Sequence, residues 1–157
     1  MKTILTPVDF SATSDRVIAE AVTLACAYGG RVVLMHVTEP TAKVVDYAAL
    51  VMAYAQIDEA AVRFSVERLH QLEQRLRADQ VDATSVHVAG MPVTEIVAQA
   101  GSFAADYIVM GSHGHTAFYD LLVGGTAHGV LKRAPCPVVI VPPARKPKHA
   151  RGAEVGG

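Results

Sequence analysis

This chain has few cysteines, no tryptophan and almost no net charge. The 157 residues include two cysteines and no tryptophan, and the charged residues, 18% of the total, leave a net charge of −1. Cys26 and Cys136 lie far apart without C-x-x-C spacing, so we expect small buried apolar groups rather than a disulfide framework. The near-neutral balance provides no basic field that would attract DNA.

Long apolar runs are also absent. Residues 47–55 form one of the longest, whereas a membrane-spanning helix needs about 20. The N-terminus enters a strand pattern directly, without the apolar core or cleavage site of a signal peptide. We therefore expect a soluble, cytoplasmic protein that contacts neither membrane nor DNA.

Charge becomes uneven only at the C-terminus. Residues 143–157 carry four basic side chains and one acidic one among prolines and glycines. This composition predicts a solvated, disordered basic tail, with a binding arm as the alternative. The remaining chain, residues 1–142, is predicted to be a single domain.

Strand and helix patterns alternate along residues 1–142. Strand patterns occupy residues 4–8, 31–37, 83–89, 106–110 and 138–141. Ser11 is the predicted N-cap of the first helix, and a later helix over residues 58–78 is predicted to bury one stripe: Val62, Val66, Leu69, Leu72 and Leu76. The alternation predicts an α/β fold, a doubly wound, mostly parallel sheet with helices on both faces.

Residues 38–56 are harder to interpret. Tyr47, Leu50, Val51 and Tyr54 follow the i, i+3, i+4, i+7 spacing of a short amphipathic helix. Such a helix could cover a cleft, meet a partner, or simply pack on the domain.

Two strands end in residues that suit a ligand. In open parallel sheets, ligands bind beyond the carboxyl ends of the strands. The first strand ends in Pro7-Val8-Asp9-Phe10-Ser11, the fourth in Met110-Gly111-Ser112-His113-Gly114, and Gly124-Gly125-Thr126 begins the last helix. The amides of residues 124–126 would lie at the positive end of that helix and form a phosphate cradle without a lysine. A flexible turn with helix caps is the alternative.

Several side chains near these ends have two interpretations each. Asp9 would be repelled by a polyphosphate, so it suits a base or ribose, or else it caps a helix. His113 and His115 are either exposed or contact phosphate, with a metal site the weaker alternative. Ser112, His113 and Asp9 are not interpreted as a hydrolase triad, because adjacent side chains point apart and no G-x-S-x-G elbow exists. Neither a P-loop nor a G-x-G-x-x-G motif occurs.

Residues 3–142 resemble the universal stress protein family. The resemblance is carried by ILTPVDFS, by VVLMHV, by Gly90-Met91-Pro92 and by the ending HGVLKRAPCPVVIVP. It is carried above all by Gly111, two residues, Gly114, nine residues and Gly124, the spacing found in nucleotide-binding members. Those members have Ser or Thr next, where this chain has Gly125 followed by Thr126.

The resemblance implies a Rossmann-like sheet of five parallel strands in the order 3-2-1-4-5. It implies ATP as the cofactor, with Mg²⁺ or Mn²⁺ accompanying the phosphates, and a homodimer formed through the strand at residues 138–141. Adenine would lie near Pro7, Asp9 and Val37, ribose near Met110 and Gly111, and the phosphates on the amides of Gly114, Gly124, Gly125 and Thr126. The expected cofactor site therefore comprises Pro7, Val8, Asp9, Val37, Met110, Gly111, His113, Gly114, His115, Gly124, Gly125 and Thr126.

These observations predict an ATP-binding, homodimeric universal stress protein that regulates a protein partner in response to nucleotide. Hydrolysis of ATP would at most be slow, because the sequence shows no catalytic base, lysine or arginine finger. The first alternative is a nucleotide-independent interaction module of the same fold. The second is an enzyme that transfers phosphoryl or adenylyl groups.

Overall fold

The computed structural model describes residues 1–39, 59–113 and 123–144. Within them the strands are β1 (Thr3–Pro7), β2 (Arg31–Thr38), β3 (Ala83–Ala89), β4 (Tyr107–Gly111) and β5 (Val138–Val141). The helices are α1 (Ser14–Tyr28), α2 (Glu59–Ala78), α3 (Pro92–Ser102) and α4 (Gly125–Arg133). The predicted short helix around Tyr47 and the tail from residue 145 onward lie outside the described residues.

All five strands form one parallel sheet in the order β3-β2-β1-β4-β5. The predicted fold and strand order are therefore confirmed. β1 is central, and Ile4 pairs with Val32 on one side and with Tyr107 on the other. The winding reverses between β1 and β4, which places the topological switch point there.

Two apolar cores lie on opposite faces of the sheet. One packs α1 and α2 onto the sheet and includes Ile4 and Leu69, and the other packs α3 and α4 around Leu5 and Ile108. Alternate residues of each strand point to opposite faces, so a strand covered on both faces is apolar at nearly every position. This explains the continuous apolar runs of the central strands.

The start of α1 differs from the prediction. Its N-cap is Thr13, without a side-chain cap bond, rather than Ser11. The amide of Ser11 donates to Asp9 Oδ1 at 3.0 Å, and the Ser11 carbonyl accepts the amide of Ser14 at 3.0 Å. Ser11 therefore belongs to a turn that precedes the helix. At the other end of α1, Gly29 adopts the predicted left-handed cap with φ 57°.

The buried face of α2 also differs from the predicted stripe. The helix buries Ser65, Leu69 and Leu76, whereas 46% of Val66 is exposed. Spacings of four and seven residues place these three on one side of the helix, and Val66 lies about 100° away from Ser65. The prediction was wrong at Val66, because it counted only apolar residues and the buried position belongs to the small polar Ser65.

The cysteines are not both buried. Cys26 is exposed and Cys136 is half-buried, and both are free thiols. Burial raises the pKa of the Cys136 thiol, and the nearby Asp106 carboxylate raises it further. The prediction of two buried apolar cysteines was wrong for Cys26, which lies next to the buried Ala25 but on the solvent side of α1.

No helix in the described part of the chain is long and apolar enough to cross a lipid bilayer.

Candidate functional site

A cleft opens at the carboxyl end of the sheet, where β1 and β4 diverge. Its volume is about 360 Å³, within the range of small-molecule sites. Ten of the twelve residues of the expected cofactor site line it: Pro7, Val8, Asp9, Val37, Met110, Gly111, His113, Gly124, Gly125 and Thr126. The other two, Gly114 and His115, lie outside the described residues.

The cleft has further lining residues that sequence reasoning did not assign to the site. They come from the β1–α1 turn, from β2 and its end, from the first turns of three helices, and from the end of β4: Ser11, Thr13, Ser14, Val17, Met35, Glu39, Pro92, Ile96, Ser112 and Ala127. The period of two along a strand could have identified Met35 from Val37, since both point to the same face of β2. No comparable sequence pattern identifies the polar residues of the β1–α1 turn as part of the cleft.

Asp9 organises the wall of the cleft next to β1. Its Oδ1 accepts the amide of Ser11 at 3.0 Å and the hydroxyl of Ser14 at 3.2 Å. The carboxylate therefore holds the turn that leads into α1, and it also lines the cleft. Glu39 also lines the cleft, and it follows β2, the neighbour of β1 on the side away from β4. Two carboxylates repel a polyphosphate, so this side of the cleft suits an uncharged group with hydrogen-bond donors.

The opposite side of the cleft is the N-terminus of α4. The amides of Gly125 and Thr126 are the first two of the helix, and no acceptor among the described residues takes either of them. Unpaired amides at a helix N-terminus are donors for an anion, and the helix dipole adds to their attraction. The two sides of the cleft thus differ in polarity.

Gly124 has a different role from the one predicted. Its amide donates to the carbonyl of Ser112 at 2.7 Å, so this amide already has an acceptor instead of being left for a phosphate. A Cβ at Gly124 would lie 3.1 Å from that same carbonyl oxygen, whereas a Cβ at Gly125 would have no atom within 4 Å. Gly124 therefore allows α4 to approach β4 closely, and Gly125 leaves open space at the start of the helix.

Ser112 and His113 contact each other, contrary to the prediction that their side chains point apart. A hydrogen bond of 2.9 Å joins Ser112 Oγ and His113 Nδ1. The chain bends directly after β4, and this brings the two side chains to the same side. Ser112 is buried, and its own amide donates to the carbonyl of Val141 at 3.0 Å. The end of β4 is therefore fixed to both β5 and α4.

Three aromatic rings lie in a row that starts at the β1–α1 turn: Phe10 in the turn, His36 on β2 and His87 on β3. Phe10 stacks on His36 with ring centroids 4.4 Å apart, and His36 lies 6.1 Å from His87, its register partner on β3. A hydrogen bond of 2.8 Å joins His87 Nε2 and Thr38 Oγ1. Burial lowers the pKa of His87 below the ordinary 6.5, and the neighbouring His36 lowers it further.

His87 is expected to make the protein less stable in mild acid. Because its folded-state pKa is lowered, the unfolded chain binds the proton more tightly, and stability decreases as the pH falls below about 6.5. The contribution of neutral His87 to the free energy of unfolding is fully present above pH 6.5, and it is lost as the pH falls through the folded-state pKa of His87. Thermal unfolding between pH 7.5 and 5 should therefore show a larger drop in Tm for the unmodified protein than for His87→Gln.

The matched control for this experiment is His70→Gln. His70 lies on the exposed surface of α2, where its ring contacts Gln74. This variant should follow the pH dependence of the unmodified protein. Parallel Tm curves for His87→Gln and the unmodified protein would contradict the role of His87.

Metal-binding side chains do not cluster in the described regions. Nowhere in them do three or more His, Cys, Asp or Glu side chains lie close enough to hold a metal ion.

The strand order, the crossovers and a cleft at the switch point define a doubly wound α/β domain. The model of the universal stress protein family matches residues 1–142, and the chain belongs to that family. It is 32% identical over 146 residues to a universal stress protein of Thermus aquaticus, covering 89% of this chain and 98% of that protein. It is 28% identical over 152 residues to universal stress protein MJ0577 of Methanocaldococcus jannaschii, covering 89% and 94%.

Solved structures share the fold. The structure of MJ0577 matches with a TM-score of 0.78 at 24% identity, covering 92% of this chain and 98% of that chain. An Archaeoglobus fulgidus universal stress protein in complex with dAMP matches with a TM-score of 0.67 at 20% identity, covering 89% and 97%. A universal stress protein in complex with cAMP matches with a TM-score of 0.61 at 24% identity, covering 91% and 98%.

Proposed function

We propose that this universal stress protein binds ATP in the cleft between β1 and β4 and acts as a nucleotide-responsive regulator. The observation that carries the proposal is the pair of amides at Gly125 and Thr126, which lie at the start of α4 without an acceptor among the described residues. They line the same cleft as Asp9. One cleft thus offers an anion site and a site for a base or ribose.

We infer the direction of the nucleotide from the polarity of the cleft. Adenine has an amino group that can donate to a carboxylate, and ribose has hydroxyl donors. Both therefore belong on the side of Asp9, Pro7 and Val37, whereas the phosphates belong on the side of α4. Related proteins that bind dAMP and cAMP support an adenine nucleotide. The G-2x-G-9x-G spacing resembles that of the nucleotide-binding members and supports the same proposal, in which Mg²⁺ or Mn²⁺ would accompany the triphosphate.

Calorimetric titration with Mg-ATP, together with mass spectrometry of nucleotide that co-purifies, tests the proposal. We expect one ATP per chain and binding that is weaker for GTP. An absence of binding at millimolar ATP would contradict it and favour the alternative, a nucleotide-independent interaction module in the cytoplasm. Release of ADP at the turnover rates of a kinase would instead favour a phosphoryl-transferring enzyme.

The Asp9→Asn variant tests the base side of the cleft. Its side-chain oxygen can still accept from Ser11 and Ser14 and so preserve the turn, while an amide NH₂ replaces the second oxygen. That donor opposes the amino group of adenine but suits the carbonyl of guanine. The ratio of ATP to GTP affinity should therefore fall about tenfold, which corresponds to one hydrogen bond.

Inorganic triphosphate serves as the control ligand for this variant. Its affinity should not decrease, because the phosphate side of the cleft is unchanged. An unaltered ATP to GTP ratio in Asp9→Asn would contradict the placement of the base beside Asp9.

A further inference from the structure

His36 lies outside the cleft although both of its chain neighbours line it. Met35 and Val37 point from β2 into the cleft. Because successive side chains of a strand alternate between faces, His36 points to the other face of the sheet. On that face it lies against the β1–α1 turn. This is the face covered by α1 and α2, and Phe10 packs against the core there.

Two contacts join His36 to this turn. Its Nδ1–H donates to the carbonyl of Val8 at 2.8 Å, and its ring stacks on Phe10 at 4.4 Å with an interplanar angle of 27°. The amide of Val8 also donates to the carbonyl of Met35 at 2.8 Å. Asp9 therefore lies between Val8 and Phe10 in the chain, and both of these neighbours are held by contacts with β2.

Phe10 needs this support because of its backbone conformation. Its φ is 59°, in the left-handed region that a bulky side chain rarely adopts. Such a conformation persists only where surrounding contacts determine it. The stack on His36 and the bond to Val8 are contacts of this kind, and they lie on either side of Asp9 along the chain.

We propose that His36 is a positioning residue that holds the Val8–Phe10 turn and thereby presents Asp9 to the base of the bound nucleotide. The inference rests on the proposed function, since it assigns the selectivity for adenine to a side chain outside the cleft. His36 acts through Val8 and Phe10 and does not touch the nucleotide.

Substitutions at His36 separate the two contacts. His36→Leu removes both, His36→Asn keeps a donor close to the position of Nδ1, and His36→Phe keeps an aromatic ring for the stack. His70→Leu, on the exposed surface of α2, is the matched control. Each variant is examined by amide hydrogen exchange and by calorimetry with ATP, GTP and inorganic triphosphate.

We expect His36→Leu to speed exchange of the Ser11 amide, which donates to Asp9, by about tenfold, because loss of the support opens the turn locally. The same variant should bind ATP about five- to tenfold more weakly, the value of one neutral hydrogen bond. Its affinity for triphosphate should stay within about twofold. His36→Asn should restore part of the ATP affinity, and His70→Leu should match the unmodified protein.

Two results would overturn the positioning role. One is unchanged exchange at Ser11 in His36→Leu. The other is an equal loss of affinity for ATP and triphosphate, which would show a general structural effect. If the unmodified protein binds no ATP, the proposed function fails, while exchange at Ser11 still decides whether His36 holds the turn.

Discussion

The Gly125→Pro variant is expected to bind ATP about ten- to a hundredfold more weakly than the unmodified protein. Proline removes one amide that would donate to a phosphate, and a hydrogen bond to a charged group contributes about 1.5–3 kcal/mol. Gly125 is the first residue of α4, where proline is tolerated because that amide has no partner within the helix. The preceding Gly124 has φ −71° and ψ 167°, an extended conformation that suits a residue before proline. Calorimetry measures the affinity for ATP. An unchanged Tm in thermal unfolding should show that the variant keeps its fold.

Two matched variants at the same position complete this test. Gly125→Ala keeps the amide and places its Cβ in open space, so its ATP affinity should stay within about twofold. Gly125→Ser restores the hydroxyl usual in nucleotide-binding members of the family and should bind ATP more tightly than the unmodified protein. Equal affinities for the proline and alanine variants would show that the amide of residue 125 does not hold a phosphate.

The Ile140→Pro variant is expected to convert the homodimer that the family resemblance implies into a monomer. β5 is the last strand of the sheet and pairs only with β4 among the described residues, so its outer edge can accept a second copy of the chain. The amide of Ile108 donates to the Pro137 carbonyl and the amide of Ser112 to the Val141 carbonyl, each at 3.0 Å. In a parallel ladder with this register, the amide and carbonyl of Ile140 face the outer edge. Proline at residue 140 therefore removes a donor of the dimer but no bond to β4.

The control for the dimer is Ile140→Ala. This variant loses the half-buried side chain, which packs on the α3–α4 core, but keeps the amide at the edge. It should unfold at a lower temperature and still sediment as a dimer in analytical ultracentrifugation. A dimer that persists in Ile140→Pro would rule out pairing through the edge of β5.

Most of the fold could be predicted because the spacing of apolar residues along the chain distinguishes its strands from its helices. Apolar runs without alternation, such as residues 31–37, indicated strands covered on both faces, and the structure covers β2 with helices on both sides. The left-handed residue at Gly29 was predictable because glycine is the residue that adopts it without a steric cost. The start of α1 was not, because Ser11, Thr13 and Ser14 are all acceptable N-caps and the side chain of Asp9 decides between them.

The position of the cleft was also predictable, since the topology dictates it, whereas its hydrogen bonds were not. The use of the Gly124 amide by Ser112 depends on how closely α4 approaches β4, a distance that no sequence pattern encodes. The contact between Ser112 and His113 depends on a bend after β4 in the same way. The support of Phe10 by His36 joins the β1–α1 turn to β2 through side chains, and the motif VVLMHV does not indicate a contact with that turn.

The central place of β1 has a consequence for the nascent chain. Its partner β4 lies about one hundred positions later in the sequence, and α4, the other side of the cleft, begins only at Gly125. A partly synthesised chain can pair β1 with β2 but has no complete cleft until nearly all of the domain has left the ribosome. Nucleotide would therefore stabilise only the finished domain and would not assist the folding of its first half.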